Sequence, residues 1–342
     1  MTFPQKYEVI INKLLQKNGL SLSDRQKIAK SILKLSDFYI DQRRSPTPWQ
    51  DDSTLIAQLC YFFPLNYMRA AAVIEQIKKL KFFADDEKIK FVDFGSGLGT
   101  MTLALLDNMP NPLEGLCIES HRPCRETFVK LAGDPKNIDW RQSLSETTAD
   151  SIFLCYSLLE LQSLPSWLTK FENIIIIEPS DSRTGRELLT TRKNLIAAGY
   201  KLWAPCTHQN SCPLEVHSKS DWCHHRSLWQ APQWFREIEK HLPIKNNTLT
   251  FSYLVASRRS PPSKLADLAR LTGDLQEEKG KSKQMVCRGT EREFLAWLHK
   301  DGKPKEFLRG SLVSLEKFEK KSNEIRVQEI LGPDECDSLL DS

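Results

Sequence analysis

Phe91-Val92-Asp93-Phe94-Gly95-Ser96-Gly97-Leu98-Gly99-Thr100 runs from an apolar strand into three glycines at alternate positions and then into a helix over Met101–Leu106. Glycine lets a backbone turn sharply and come close to a ligand, and the first turn of the following helix offers unpaired N–H groups. This is the loop of a nucleotide-like ligand. A dinucleotide fold prefers G-x-G-x-x-G, whose spacing admits a pyrophosphate, and here the third glycine comes one residue early.

Outward from that loop the rhythm repeats. Short apolar runs at Ile89–Phe94, Leu113–Ile118, Asn137–Trp140, Ser151–Tyr156 and Ile174–Ile177 are too short for buried helices and rich in Ile, Phe and Val. Helix-like stretches separate them, which predicts a doubly wound α/β sheet. A helix over Arg186–Ala198, closed by Gly199, leads to a sixth strand at Tyr200–Ala204, and Leu249–Ser257 supplies a seventh. A further helix is expected over Pro232–His241. The domain, 85–258, closes at the linker Arg258–Pro262.

Residues 1–84 read as a helical N-terminal module. Ile10, Ile11, Leu14 and Leu15 recur at helical spacing before Gly19, and Ser23 with Gln26 forms a capping-box pattern. Two more helices follow near Thr54–Phe62 and Asn66–Leu80, with Pro64 between them. Residues 259–326 read as a small basic appendage, with a helical turn region at Glu291–Leu298 and a tight turn at Asp301-Gly302. The last segment, 327–342, reads as an acidic tail.

The glycine loop, together with Glu119 closing the second strand, resembles the cofactor motifs of class I S-adenosylmethionine-dependent methyltransferases. The resemblance implies a seven-stranded Rossmann-like sheet, with Gly95, Ser96, Gly97 and Gly99 wrapping the methionine and ribose portion and Glu119 accepting both ribose hydroxyls. Asp93 then faces the cofactor's ammonium through water or caps the loop. Asp139 or Gln142, after the third strand, reaches the adenine.

At 40% hydrophobic and 27% charged residues, the 342-residue chain has room for about two domains with a buried core. The start carries no charged and apolar leader, and no apolar run approaches the ~18 residues of a membrane span. A cytoplasmic, monomeric protein is the expectation. The net charge of +4 is uneven: residues 258–326 carry 17 Lys/Arg against 11 Asp/Glu, whereas 327–342 carry five acids and no Lys or Arg. A basic module beside an acidic tail points to a polyanionic partner. Lys279, Lys281, Lys283, Arg288 and Arg292 are the candidate phosphate contacts, which give salt-dependent affinity for RNA.

Nine cysteines, an odd number, favour thiols and metal over disulfides. Cys60, Cys117 and Cys155 lie in apolar runs and read as core filler, and Cys124 and Cys336 have no neighbours. Cys206, Cys212 and Cys223 fall in a proline-flanked segment with His208, His217, His224 and His225. Three thiolates need a fourth ligand, either one of those histidines or the distant Cys287. Choosing Cys287 would close an 81-residue separation, worth on the order of 4 kcal/mol in chain entropy. Trp203, Trp222, Trp229 and Trp234 cluster around the same segment and are expected to shield it.

Ala-Pro-Cys-x-His-x-x-x-Cys-Pro-Leu at 204–214, Asp-Trp-Cys-His at 221–224 and Phe-Ser-Tyr-Leu-Val at 251–255 resemble the methyltransferase-like proteins of the small ribosomal subunit, found in bacteria and mitochondria. The resemblance covers the chain from about Pro64 onward. It implies a [4Fe-4S] cluster held by Cys206, Cys212, Cys223 and Cys287, with zinc as the alternative that spacing alone leaves open. It also implies binding to small-subunit ribosomal RNA during ribosome assembly, in service of translation, with methyl transfer or without it. Three specialised chemistries do not match. Radical use of S-adenosylmethionine wants a compact three-cysteine loop, and cytosine-5 methylation wants Pro-Cys after the fourth strand, where this chain has Tyr156-Ser157. Amino-group methylation wants an Asn/Asp-Pro-Pro-aromatic loop there. No residue is assigned a catalytic role.

Overall fold

The computed structural model describes residues 1–161 and 165–341. The chain forms two compact units: Met1–Ile74 with Asp85–Phe171 and Ser227–Leu249, and Glu75–Ala84 with Glu172–Arg226 and Thr250–Ser342.

In the first unit α1 (Gln5–Gln16) buries Tyr7, Ile11, Leu14 and Leu15, and α2 (Arg25–Asp41) buries Ile28, Ala29, Ile32 and Leu35. Each set lies on one helical face, which is why these segments are helices. The capping box expected at Ser23 does not form. Asp24 is the N-cap, and its carboxylate accepts from the Ser21 N–H at 2.9 Å, outside the helix. α3 (Asp52–Ala57) starts on Asp51, whose carboxylate accepts from Ser53 N–H. Pro64 does not separate two helices. A π-helical turn at Gln58–Phe62 leads directly into α4 (Phe63–Lys79), and its wider hydrogen-bond spacing accommodates a residue that lacks a donor.

Four strands follow: β1 (Ile89–Phe94), β2 (Leu113–Ile118), β3 (Ile138–Arg141) and β4 (Ser151–Cys155). They are all parallel, in the order β3-β2-β1-β4. The crossovers between the first three are α5 (Thr100–Asn108) and α6 (Arg122–Ala132). Asp107 of α5 accepts hydrogen bonds from the Tyr7 hydroxyl at 2.7 Å and the Tyr67 hydroxyl at 2.8 Å. This ties the N-terminal helices to the α/β part through a cluster of Phe3, Tyr7, Phe63 and Tyr67. Trp234 packs on Phe3, and Trp229 on Phe235 of the helix Gln233–Glu239. These two indoles therefore pack in the core of the first unit.

In the second unit β5 (Asn173–Glu178) leads into α7 (Ser182–Ala197), capped by Asp181 accepting from Thr184 N–H, and then into β6 (Lys201–Ala204). β7 (His225–Leu228) and β8 (Thr248–Ser257) follow. β5 and β6 both run antiparallel to β8, so they are parallel to each other. The architecture is mixed α/β with a parallel-rich sheet. Among the described residues β6 pairs with only Val255–Ser257 of the ten-residue β8, and the short β7 pairs with β8 as well.

The C-terminal region is more than an appendage. β9 (Ala269–Leu271), β10 (Gln276–Glu278), β11 (Lys281–Cys287), β12 (Glu293–Leu298), β13 (Leu312–Lys321) and β14 (Glu324–Leu331) form a sheet in the order β10-β11-β12-β14-β13-β9. A further β9–β11 pairing closes it into a small barrel. Its interior holds Leu271, Val286, Leu295, Trp297, Val313, Ile325 and Ile330. The helical turn expected at Glu291–Leu298 is instead β12, paired with β11 and with β14 about thirty residues on. Such distant partners leave no local trace. Nor is the acidic segment a free tail, since it supplies most of β14 and the helix Pro333–Asp341. Among the described residues no helix is long and apolar enough to cross a membrane.

Candidate functional site

In the first unit the glycine loop leaves the carboxyl end of β1, an inner strand flanked by β2 and β4. Gly95, Gly97 and Gly99 all adopt left-handed backbone, at φ +67°, +52° and +73°. The reason is packing as well as turning. A Cβ on Gly99 would lie 2.3 Å from Phe128 Cδ2, whereas one on Gly97 would meet only Trp49 Cζ2, at 3.5 Å. Gly97 is therefore the open point of the loop. The Glu119 carboxylate lies across it, accepting from Gly97 N–H at 3.1 Å and from His121 N–H at 2.9 Å. Ser96 is buried, and its N–H donates to the Ile118 carbonyl.

Asp93 is turned into the protein. It is 1% exposed and accepts from Thr102 N–H at 3.2 Å and Thr102 Oγ1 at 2.8 Å, fixing the first turn of α5. Burial pushes its carboxyl up to about 6, against the pull of the two Thr102 hydrogen bonds. Asp139 is exposed on β3. Gln142 donates to the Ser120 carbonyl at 3.1 Å, joining the ends of β3 and β2. Trp49 stacks on His121 at 5.9 Å and 13°. Both border the loop at Gly97 and Glu119, and sequence reasoning missed them because nothing local places a tryptophan from the α2–α3 connection there.

The second unit brings Cys206, Cys212, Cys223 and Cys287 to the wall of one cavity of about 500 Å³. Each arrives on a different element. Cys206 follows β6, Cys212 precedes α8 (Pro213–His217), Cys223 precedes β7, and Cys287 ends β11 of the barrel. Leu188 and Leu189 of α7 and Leu214 line the same space. Burial pushes the Cys223 thiol up to about 12, with Cys206 and Cys212 adding to the rise, and holds Cys212 and Cys287 above the ordinary thiol range.

Arg192, 3% exposed on α7, donates from Nε to Cys206 Sγ at 3.2 Å and from Nη2 to the His208 and Asn210 carbonyls. His208 Nε2 lies 3.3 Å from Cys287 Sγ. His217 instead meets the Thr290 carbonyl, and His224 and His225 line a smaller adjoining cavity. Among the described residues no three or more His, Cys, Asp or Glu side chains are drawn together closely enough for a single metal ion. Of the other cysteines, Cys60, Cys117, Cys124 and Cys336 are buried.

Four of the five candidate phosphate contacts are engaged within the protein. Lys281 pairs with Glu324, Lys283 with Glu278, Arg288 with Glu293 at 2.7 Å and Arg292 with Asp221. Lys283 and Arg292 also lie over the Phe294 ring, and Arg288 over Phe318. Lys279 is exposed in the β10–β11 turn.

A glycine loop after β1, a carboxylate at the end of β2 and the parallel order β3-β2-β1-β4 give the first unit the fold of a class I methyltransferase. The chain belongs to the family described as mitochondrial small ribosomal subunit Rsm22, whose model matches residues 53–300. No curated protein matches it in sequence. Among solved structures it is similar to the 16S rRNA methylase ArmA, at 14% identity over 66% of this chain and 97% of that one, with a TM-score of 0.34. It is also similar to a SAM-dependent methyltransferase from Thiobacillus denitrificans in complex with S-adenosyl-L-homocysteine, at 12% identity, 58% and 98% coverage and a TM-score of 0.33. TrmK of M. capricolum, in complex with S-adenosyl-homocysteine, aligns at 10% identity, 55% and 69% coverage and a TM-score of 0.32. At these values the likeness bears on no residue and no substrate.

Proposed function

We propose that this chain binds S-adenosylmethionine at the glycine loop of its first unit, carries a [4Fe-4S] cluster on the four cysteines of its second, and acts on the RNA of the small ribosomal subunit. The observation that carries the reading is the meeting of Cys287 with Cys206, Cys212 and Cys223 on one buried cavity, although 64 residues separate Cys287 from the nearest of them. A chain that merely stored apolar thiols would have no reason to place a cationic guanidinium against them. The donor set fits a thiolate-held group. Cys206, Cys212, Cys223 and Cys287 would hold it, and His208 would lie beside the last of them.

Membership in the small-subunit family supports a ribosomal partner. In the first unit Glu119 would accept ribose hydroxyls on releasing Gly97 N–H, and the Trp49–His121 stack would give an aromatic wall for the nucleoside. The cofactor supplies an electrophilic methyl on a sulfonium. With no general base assigned, transfer would rest on proximity and alignment.

Anaerobically purified protein tests the cluster directly. Iron with a broad absorption near ~400 nm, as thiolate-ligated clusters give, supports it, and a colourless zinc protein refutes it. Incubation with methyl-labelled cofactor and small-subunit precursors tests the reaction. Label in the RNA makes the chain an enzyme. No label under conditions of intact RNA binding makes the cofactor a structural ligand of an assembly factor.

A further inference from the structure

Three buried side chains on the wall of the cysteine cavity carry hydrogen-bonding atoms with no partner among the described residues: Tyr253 Oη, Thr272 Oγ1 and Arg270 Nη2. Each of the three residues is 2% exposed. Buried donors left unpaired cost roughly 1–3 kcal/mol apiece, so three around one cavity call for an occupant that accepts hydrogen bonds.

Arg270 is held rigidly for that purpose. Its Nε donates to the Pro205 carbonyl at 2.8 Å and its Nη1 to the Gly310 carbonyl at 2.7 Å, which leaves Nη2 as the free corner of a fixed fork. Arg192, at another point of the same wall, already donates to Cys206 Sγ. Four thiolates around a dicationic metal core leave a doubly negative group, and the two guanidiniums are its charge complement. Buried charge is tolerated only when paired in this way.

We propose that Arg192, Arg270, Tyr253 and Thr272 are positioning residues for the thiolate-held group: the two guanidiniums offset its charge, and the Arg270, Tyr253 and Thr272 donors hydrogen-bond its sulfurs. This rests on the cysteine cavity being a metal centre, but not on which metal fills it. For an iron–sulfur cluster, hydrogen bonds to sulfur favour the more negative, reduced state and so raise the reduction potential. The donors thus set the potential while the cysteines set the binding.

The test uses the full-length protein, purified anaerobically, as wild type and as the double variant Tyr253→Phe, Thr272→Val. Both changes remove only a hydroxyl and preserve shape. Metal content of the wild type decides between iron and zinc and so tests the underlying reading separately. With iron present, the double variant is expected to keep its iron and its thermal midpoint while its reduction equilibrium shifts about tenfold toward the oxidised state, 59 mV for a one-electron couple. An unchanged potential with iron intact overturns the proposal. With zinc present, the same variant is expected to release metal to a chelator about tenfold faster, and an unchanged rate overturns it. Arg270→Lys, which keeps charge but loses the fork, is expected to shift the potential less than Arg270→Gln. Equal shifts would remove the charge argument.

Discussion

Replacing Gly99 or Gly97 by alanine separates the packing role of the glycine loop from its ligand role. Both residues sit at positive φ, where a Cβ costs about 1–2 kcal/mol. At Gly99 the new methyl would also lie 2.3 Å from Phe128 Cδ2 and 2.8 Å from Cε2. That ring is packed against Trp140 at 5.4 Å and has to move, at roughly 1–3 kcal/mol for an overpacked core. The total, about 2–5 kcal/mol, is a large share of the ~5–15 kcal/mol that holds a domain folded. At Gly97 the methyl meets Trp49 at an ordinary 3.5 Å, so only the backbone cost of about 1–2 kcal/mol applies, but it stands on the open side of the loop.

Urea unfolding and calorimetric titration with S-adenosylhomocysteine give the two quantities. Gly99→Ala should lose more stability, and its folded fraction should bind within a few-fold of wild type. Gly97→Ala should lose less stability and at least tenfold in affinity, about 1.4 kcal/mol. If Gly97→Ala binds the nucleoside as wild type does, the loop is a strand-to-helix packing turn and the cofactor assignment fails.

Cys287→Ser should leave the protein with less than half its metal and a lower thermal midpoint in the metal-loaded state; metal content equal to wild type would remove Cys287 from the ligand set. Asp93 holds a proton in the folded chain up to about pH 6 that the unfolded chain releases near 3.8, so its contribution to stability is full below pH 4 and falls as pH rises to 6, by on the order of 3 kcal/mol. Asp93→Asn keeps an acceptor for Thr102 and removes that slope, so urea unfolding at pH 4, 5, 6 and 7 should show the variant gaining on wild type as pH rises; a gain on acidification would contradict the buried carboxyl. In Gly185→Ala the new methyl would fall 2.3 Å from Trp222 Cδ1, whose indole donates to the Ser180 carbonyl, and about 1–3 kcal/mol of lost stability should show in thermal melts, with weaker metal retention from the adjoining Cys223. For RNA, Lys279→Ala should lower the salt slope of binding by about one, whereas Lys281→Ala, which breaks the Glu324 pair, should change it less; equal slopes would mean the ion pairs open on binding.

What was legible in the sequence was what local pattern encodes. β1 and β2 fall at the expected residues because an apolar run buried on both faces between turn signals has few other readings. The three glycines announce their backbone because no other residue adopts those φ values at so little cost. The barrel was illegible for the converse reason. β12 finds its partners in β11 and β14, and four of its six residues are buried only in the closed barrel. The ion pairs of Lys281 and Arg292 were equally invisible, since their acids, Glu324 and Asp221, lie 43 and 71 residues away.

The sequence by itself determined the alternation of strand and helix, the glycine loop and the cysteine spacing, all of which are statements about neighbours along the chain. Only the tertiary structure decided that Asp93 accepts from Thr102, that Trp49 reaches the loop, and that Tyr253, Thr272 and Arg270, each with an unpaired polar atom, line the same cavity as four cysteines. These depend on which distant surfaces exclude water together. Burial gives a hydroxyl or a guanidinium its cost and therefore its use, and burial is a property of the folded chain alone.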